Sequence, residues 1–211
     1  MKPHTFALSC CFALASLGGC TVGEGEGWVK SDKLYINDCW NGGFDLGPDF
    51  FAIAPFSDET MVVRVQRGDN LQEVSDGLMI LVNDKEAVRG QLGVELPVGL
   101  PKGIQCPGRP LVYQEDPPLV NMSLYLHDSC HTQAGATVHS IGGTITFIKL
   151  FSGDINEKDG SERLTDASFA VDFANPCDVP VEGDPDPALV SHVEGYFKFF
   201  FQRGQPAQPF P

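Results

Sequence analysis

The sequence has few basic residues. Its 211 residues include 14 lysines and arginines against 28 aspartates and glutamates, so the net charge is −14 at pH 7. Proteins that bind nucleic acids use basic patches to neutralise phosphates, and this chain lacks the charge for that role. Anionic lipid headgroups repel an acidic protein for the same reason. We therefore expect no nucleic-acid partner and no adsorption to a membrane through surface charge.

Familiar catalytic patterns are also missing. The sequence contains no Gly-x-Ser-x-Gly, no His-Glu-x-x-His and no phosphate-cradling Gly-Lys-Thr. No window of about 11 residues shows a convincing apolar repeat of 3.6 residues, which is the pattern of an amphipathic helix. These absences favour a protein that is not an enzyme and needs no cofactor, and they disfavour a helical fold.

No apolar run is long enough to cross a bilayer as a helix, which takes about 20 residues. A shorter run covers residues 6–17, and Lys2 is the only lysine or arginine before Cys20. A basic start followed by a short apolar segment and small residues is typical of a secretory signal.

The apolar run ends in Leu17-Gly18-Gly19-Cys20. This ending resembles the cleavage motif of bacterial lipoprotein signals, which is a leucine, two small residues and an acceptor cysteine. The resemblance implies that residues 1–19 are removed and that Cys20 carries two or three acyl chains, such as palmitate, because one chain anchors only marginally. Thr21, in place of the aspartate of inner-membrane lipoproteins, favours the outer membrane. The alternative is an ordinary secreted protein with a chance cysteine.

The chain after Cys20 divides into three parts. Residues 20–27 continue from the cysteine into "TVGEGEG", which has no apolar face and predicts a flexible tether. Residues 28–203 contain every predicted strand and are enough for one domain with its own core. Residues 204–211, "GQPAQPFP", predict an irregular tail.

Short β-rich runs separated by glycine and proline dominate the domain. They cover residues 28–36, 50–56, 61–67, 77–84, 119–127, 142–151, 162–173 and 189–202, while residues 87–100 are interrupted by glycines and stay open. Without alternating helices, this pattern predicts an all-β fold, an antiparallel β-sandwich or flattened barrel of about eight or nine strands. The acidic, β-rich chain with its "FQRG" strand end resembles uncharacterised myxobacterial-type lipoproteins, a resemblance that implies no function.

Four cysteines remain after the predicted signal and Cys20 are set aside. Cys39 and Cys130 each follow a predicted strand, whereas Cys106 and Cys177 lie in proline-flanked loops. In an exported chain, four cysteines predict two disulfides with three possible connectivities. Strand ends at one rim of a sandwich meet easily, so we favour Cys39–Cys130 and Cys106–Cys177.

Two segments carry metal-ligating residue types. "HDSCH" (127–131) offers two histidines and Cys130, but this cysteine is more useful in a disulfide. "GDINEKDGSE" (153–162) is rich in oxygen ligands, but it fails the EF-hand spacing and predicts an ordinary loop. We therefore predict no metal site.

Aromatic residues are the remaining signal for function. Tyr196 and Phe200 lie on the more polar face of the last strand, which alternates strictly, and Trp40 and Phe44 are close in sequence. β-Sandwiches bind sugars and proteins through such aromatic residues. These four residues form the predicted binding surface, and the alternative is that they belong to the core.

These observations predict a membrane-anchored lipoprotein of the cell envelope. Its domain is interpreted as a non-enzymatic module that binds an envelope protein or a glycan, and its membrane contact is the lipid anchor. The alternative is a surface-anchored glycan hydrolase, which needs two carboxylates about 5–5.5 Å or 6.5–9.5 Å apart in a cleft.

Overall fold

The computed structural model describes residues 25–68, 75–101, 103, 104, 106, 118–130, 136–180 and 183–202. Within them the chain forms one short α-helix, α1 (Lys85–Arg89), a 3-10 turn (Ser161–Arg163) and ten strands. The strands are β1 (Gly25–Ile36), β2 (Trp40–Asp45), β3 (Phe50–Pro55), β4 (Met61–Arg67), β5 (Asp76–Val82), β6 (Glu95–Gly99), β7 (Val120–Leu126), β8 (Thr137–Lys149), β9 (Leu164–Ala174) and β10 (Ser191–Phe200). No helix in this described part of the chain is long and apolar enough to cross a membrane.

All ten strands belong to one sheet, with the order β2-β1-β10-β9-β8-β6-β7-β5-β4-β3. The all-β fold class is therefore confirmed. The sheet is mixed, because β6 pairs with β7 in parallel, whereas its other strand pairs are antiparallel. It also has more strands than the eight or nine predicted from the sequence.

The additional elements come from segments with weak strand signals. The stretch "NDCWNGG" looked like a turn, but the turn ends at Cys39, and β2 pairs with β1 from Trp40 onward. The segment 87–100 divides at its glycines into α1 and β6. Asp84 caps α1, because its Oδ1 accepts a hydrogen bond from the Ala87 amide at 2.9 Å.

The two halves of the sheet pack face to face. The ring of Phe51 on β3 stacks on that of Phe199 on β10, with 5.8 Å between centroids, although these strands are far apart in the sheet order. A Cβ on Gly25 or on Gly27 would lie 2.9 Å from a carbon of the Phe51 ring on β3. Glycine therefore lets β1 and β3 approach closely.

This packing corrects the predicted tether at its last residues. β1 begins at Gly25, so residues 25–27 pair with β10 and belong to the sheet. Residues 1–24 and 203–211 lie outside the described residues, and with them the predicted signal, Cys20 and the tail.

One hydrophobic core lies between the two halves. Its largest fully buried side chains include five phenylalanines, of which Phe147, Phe173, Phe197 and Phe199 lie on β8, β9 and β10 and Phe151 follows β8. Burying a phenylalanine contributes about 1.5–3 kcal/mol relative to leaving it exposed. The alternation in β10 is as predicted from the sequence, because Val193, Phe197 and Phe199 are buried while Glu194 and Phe200 are exposed.

The sheet has two distinct ends. At the Gly25 end, β1 and β9 begin and β8 and β10 finish, so that Gly25 pairs with Phe199 and Leu164 with Phe200. The opposite, disulfide end carries both cysteine pairs. Cys39 and Cys130 have Cα atoms 5.7 Å apart, and Cys106 and Cys177 are 5.3 Å apart. These are the two pairings that the sequence favoured.

Candidate functional site

The outer surface of β1, β9 and β10 is largely solvent-exposed, and we call it the polar face. It arises because alternate residues of each strand point away from the core. Its residues are Glu26, Trp28, Lys30, Asp166, Ser168, Asp172, His192, Glu194, Tyr196 and Lys198.

Two aromatic residues lie side by side near the middle of this face. Trp28 on β1 is the direct partner of Tyr196 on β10, and the Trp28 side chain is 39% exposed. The Tyr196 hydroxyl donates a hydrogen bond to Glu26 Oε1 at 3.3 Å. Desolvation, together with the charges of Asp166 and Glu26, raises the Tyr196 pKa, so the phenol stays protonated and can donate.

The two lysines of the polar face are each paired with a carboxylate. Lys30 Nζ lies 3.2 Å from Asp45 Oδ2, and Lys198 Nζ lies 3.7 Å from Asp166 Oδ2. The exposed Lys30–Asp45 pair contributes little stability. Each lysine of the face is thus paired with a carboxylate, while Glu26, Asp172 and Glu194 leave the face with a net negative charge.

His192 joins two carboxylates on the same face. Its Nδ1 lies 2.7 Å from Asp172 Oδ1 on β9, and its Nε2 lies 3.6 Å from Glu194 Oε1 on its own strand. All three side chains are more than 40% exposed. The arrangement is therefore an open hydrogen-bonding cluster rather than a cleft.

A depression of about 320 Å³ borders this cluster, where β1 separates from β10. The regular pairing of the two strands stops at Lys30, and β1 is bulged between Ser31 and Leu34. Serine hydroxyls then replace part of the ladder, because Ser31 Oγ donates to the His192 carbonyl at 2.7 Å. The lining residues are Lys30, Ser31, Asp32, Lys33, Val190, His192 and Glu194.

The four aromatic residues chosen from the sequence do not form one surface. Tyr196 lies on the polar face, and Phe200 is 46% exposed at the end of the same strand. Phe44 is only 7% exposed and belongs to the core. Trp40 packs against the core, edge-on to Phe44 at 5.8 Å, with its indole N–H bonded to the Gly43 carbonyl.

The sequence analysis missed Trp28 and the depression. The signal for Trp28 was available, since Trp28, Lys30 and Asp32 alternate with Val29 and Ser31 at the start of β1. The depression had no local signal, because it depends on where β1 leaves a strand that is far away in sequence.

A second polar group is buried on the other half of the sheet. The Tyr125 hydroxyl donates to Gln66 Oε1 at 2.9 Å, and Gln66 Nε2 donates to the Gly68 carbonyl. Burial raises the pKa of Tyr125 to about 12, with Arg64 opposing the shift and Asp76 adding to it. Burial also lowers the pKa of Arg64, which is 3% exposed. These residues stabilise the packing of β4 against β5 and β7.

Ser123 and His139 form a further cross-strand pair, with Oγ and Nδ1 2.8 Å apart. Burial lowers the pKa of His139, which favours the neutral ring. Because both residues sit within the β7–β8 ladder, the bond acts as a structural link between these strands.

The segment "HDSCH" has a structural role in the described residues. Cys130 pairs with Cys39, as expected. Asp76 accepts hydrogen bonds from the Asp128 and Ser129 amides and from the Ser129 hydroxyl. The turn before Cys130 is thus held to the start of β5. His131 lies outside the described residues.

Comparison of the chain with protein-family models, with curated proteins and with solved structures gives no match. The sequence motifs and the geometry of the polar face are the remaining indications of function.

Proposed function

We propose that this protein is a bacterial lipoprotein, attached to the outer membrane through acyl chains on Cys20. We further propose that its β-domain is a non-enzymatic module that binds an envelope glycan or an envelope protein. The ending Leu17-Gly18-Gly19-Cys20 after a short apolar run supports the anchor.

One observation supports a binding role above the others. Trp28 is 39% exposed beside Tyr196, on a face whose neighbouring lysines are paired with carboxylates. Aromatic rings offer a large contact area, and fixed charged groups offer hydrogen bonds at set positions. Because carboxylates outnumber lysines on this face, a neutral glycan suits it better than a strongly anionic ligand.

Detergent partition tests the anchor. In a bacterial host, the full chain is expected to enter the detergent phase, whereas a Cys20→Ser variant stays in the aqueous phase, because it lacks the acceptor thiol. Acylation at Cys20 is wrong if both forms partition equally.

Intrinsic fluorescence tests the binding face, since the chain has only two tryptophans. In a Trp40→Phe variant, Trp28 is the sole reporter, and purified peptidoglycan fragments and neutral oligosaccharides are the probes. Binding is expected to shift the Trp28 emission to shorter wavelength, and Tyr196→Ala is expected to weaken binding at least tenfold. Absence of a shift with every probe would count against glycan binding.

Glycan hydrolysis is the second candidate, favoured by Asp172 and Glu194, which both contact His192. Glycosidases use two such carboxylates. Release of reducing ends from the same probes, lost in Glu194→Gln, would favour hydrolysis over simple binding. Binding remains the preferred role, because both carboxylates are exposed on an open face.

A further inference from the structure

The exposed large apolar side chains are unevenly distributed over the described residues. They are Trp28, Phe56, Val94, Ile148, Ile155 and Phe200. Single exposed apolar residues are normal, but a cluster at one place marks an interaction surface.

Four of these residues lie at the Gly25 end, because they belong to or adjoin strand segments that begin or end there. Phe200 is the last residue of β10, and Ile148 is the second-last residue of β8. Ile155 belongs to the loop that follows β8. Val94 is next to Gly93, whose amide donates a hydrogen bond to the Phe147 carbonyl at 2.8 Å.

Phe56 is 66% exposed, and contacts of α1 place the turn that contains it at the same end. The Lys85 amide bonds to the Glu59 carbonyl in the turn that contains Phe56. Arg89, at the other end of α1, bonds to the Leu150 carbonyl and to Glu162. The β3–β4 turn, α1 and the end of β8 therefore form one continuous surface.

The disulfide end differs in this respect. Its described segments 37–39, 127–130, 175–180 and 183–190 contribute none of the exposed large apolar side chains. Among the described residues, the exposed apolar side chains thus lie at one end of the domain and both cysteine pairs lie at the other.

The short chain between Cys20 and Gly25 keeps the apolar end close to the proposed lipid anchor. Cys20 and Gly25 are five residues apart, and an extended chain advances at most about 3.6 Å per residue. The Cα of Gly25 therefore lies within about 18 Å of the acylated residue. We propose that the Gly25 end is a membrane-docking surface, with Phe56, Val94, Ile148, Ile155 and Phe200 in contact with the lipid interface. This inference rests on the proposed attachment at Cys20.

Carboxylates in the loop at this end disfavour contact with anionic lipids. Asp154, Glu157 and Asp159 in the loop after β8 all accept hydrogen bonds from backbone amides. For Asp159 the hydrogen bonds from Ser161 lower the pKa. Carboxylates repel anionic headgroups, so the docking uses apolar contact and favours zwitterionic lipids.

Quenching of tryptophan fluorescence by brominated acyl chains tests the proposal. The full acylated chain is reconstituted in phosphatidylcholine vesicles that contain brominated phosphatidylcholine. A Trp28→Phe/Trp40→Phe/Phe200→Trp variant reports on the Gly25 end, and a Trp28→Phe variant reports on Trp40 at the disulfide end. The reporter at position 200 is expected to be quenched several-fold more than Trp40, and less strongly in vesicles rich in phosphatidylglycerol.

A second pair of variants tests the contact itself. In the position-200 reporter, Ile155→Asp is expected to reduce quenching at least twofold, because it places a charge in the interface. Ala188→Asp adds the same charge on the exposed loop of the disulfide end and should leave quenching unchanged.

The outcomes separate the two proposals. If the protein stays on the vesicles but position 200 and Trp40 are quenched equally, or neither is quenched, the docking surface is wrong and the anchor stands. If the wild type and Cys20→Ser both fail to stay on the vesicles, the anchor proposal fails, and the docking inference fails with it.

Discussion

At the scale of single residues, Tyr125 shows how burial changes the chemistry of a side chain. It is 8% exposed, and its hydroxyl donates to Gln66. Gly77 opposite leaves the space for its ring, because a Cβ there would lie 2.5 Å from the Tyr125 oxygen. A buried phenol that donates a hydrogen bond resists losing its proton.

This burial predicts a loss of stability at alkaline pH. The Tyr125 pKa is raised from 10 to about 12 in the folded protein. Above pH 10 the unfolded chain loses the proton first, so the free energy of unfolding falls as the pH rises towards 12, by up to about 2–3 kcal/mol. Below pH 10 the contribution is fully present.

Urea unfolding from pH 8 to 12 checks this prediction. In Tyr125→Phe the fall between pH 10 and 12 should be smaller by about that amount, although the variant is less stable at pH 8, because Gln66 loses its donor. Parallel pH profiles for the wild type and the variant would contradict the assignment to Tyr125.

At the scale of elements, β1 shows how glycine permits the two halves of the sheet to pack. Its first residues lie between β10, with which they pair, and the Phe51 ring of β3. Two glycines in this stretch have no side chain to separate the layers. A glycine-rich sequence that suggests flexibility therefore serves a close approach of backbone and ring.

The close approach predicts different effects for two alanine substitutions in neighbouring strands. In Gly27→Ala the new Cβ would lie 2.6 Å from the Tyr196 carbonyl oxygen and 2.9 Å from the Phe51 ring. We expect a loss of about 1–3 kcal/mol in the free energy of unfolding, because the layers must move apart.

Gly43→Ala in β2 is the matched control. Its Cβ would have the Asp32 carbonyl oxygen as its nearest neighbour across the strands, at 3.7 Å, which is ordinary contact. The change should stay within about 0.5 kcal/mol. Urea denaturation midpoints compare the two variants, and similar losses for both would show that β1 and β3 do not meet as described.

At the scale of the whole molecule, the domain has two ends with different chemistry. The disulfide end joins segments 91 and 71 residues apart in sequence. On the chain-entropy model, each such link stabilises the fold by roughly 4 kcal/mol. The Gly25 end has no link of this kind among its described residues, but it carries most of the exposed large apolar side chains.

This division is consistent with a protein attached to a membrane at one end. The polar face and its depression extend along β1 and β10, and the depression lies towards the disulfide end. A domain that rests on lipid through its Gly25 end would leave the depression open to soluble ligands. The two proposals therefore use different parts of the domain.

Features that depend on local pattern could be predicted from the residues alone. Period-2 alternation in residues 189–202 identified the faces of β10, because side chains alternate in any strand. Strand ends and proline-flanked loops suggested the two cysteine pairings that the structure contains. The all-β class followed from short apolar runs separated by glycine and proline.

Strand pairing and side-chain burial depend on residues that are distant in sequence, so these features required the folded structure. β2 forms because β1 pairs with it, and this overrides the turn preference of its glycines. Trp40 and Trp28 have the same side chain, but one packs against the core and the other lies on an exposed face. Local sequence cannot distinguish them, since burial is set by which strands come together in space.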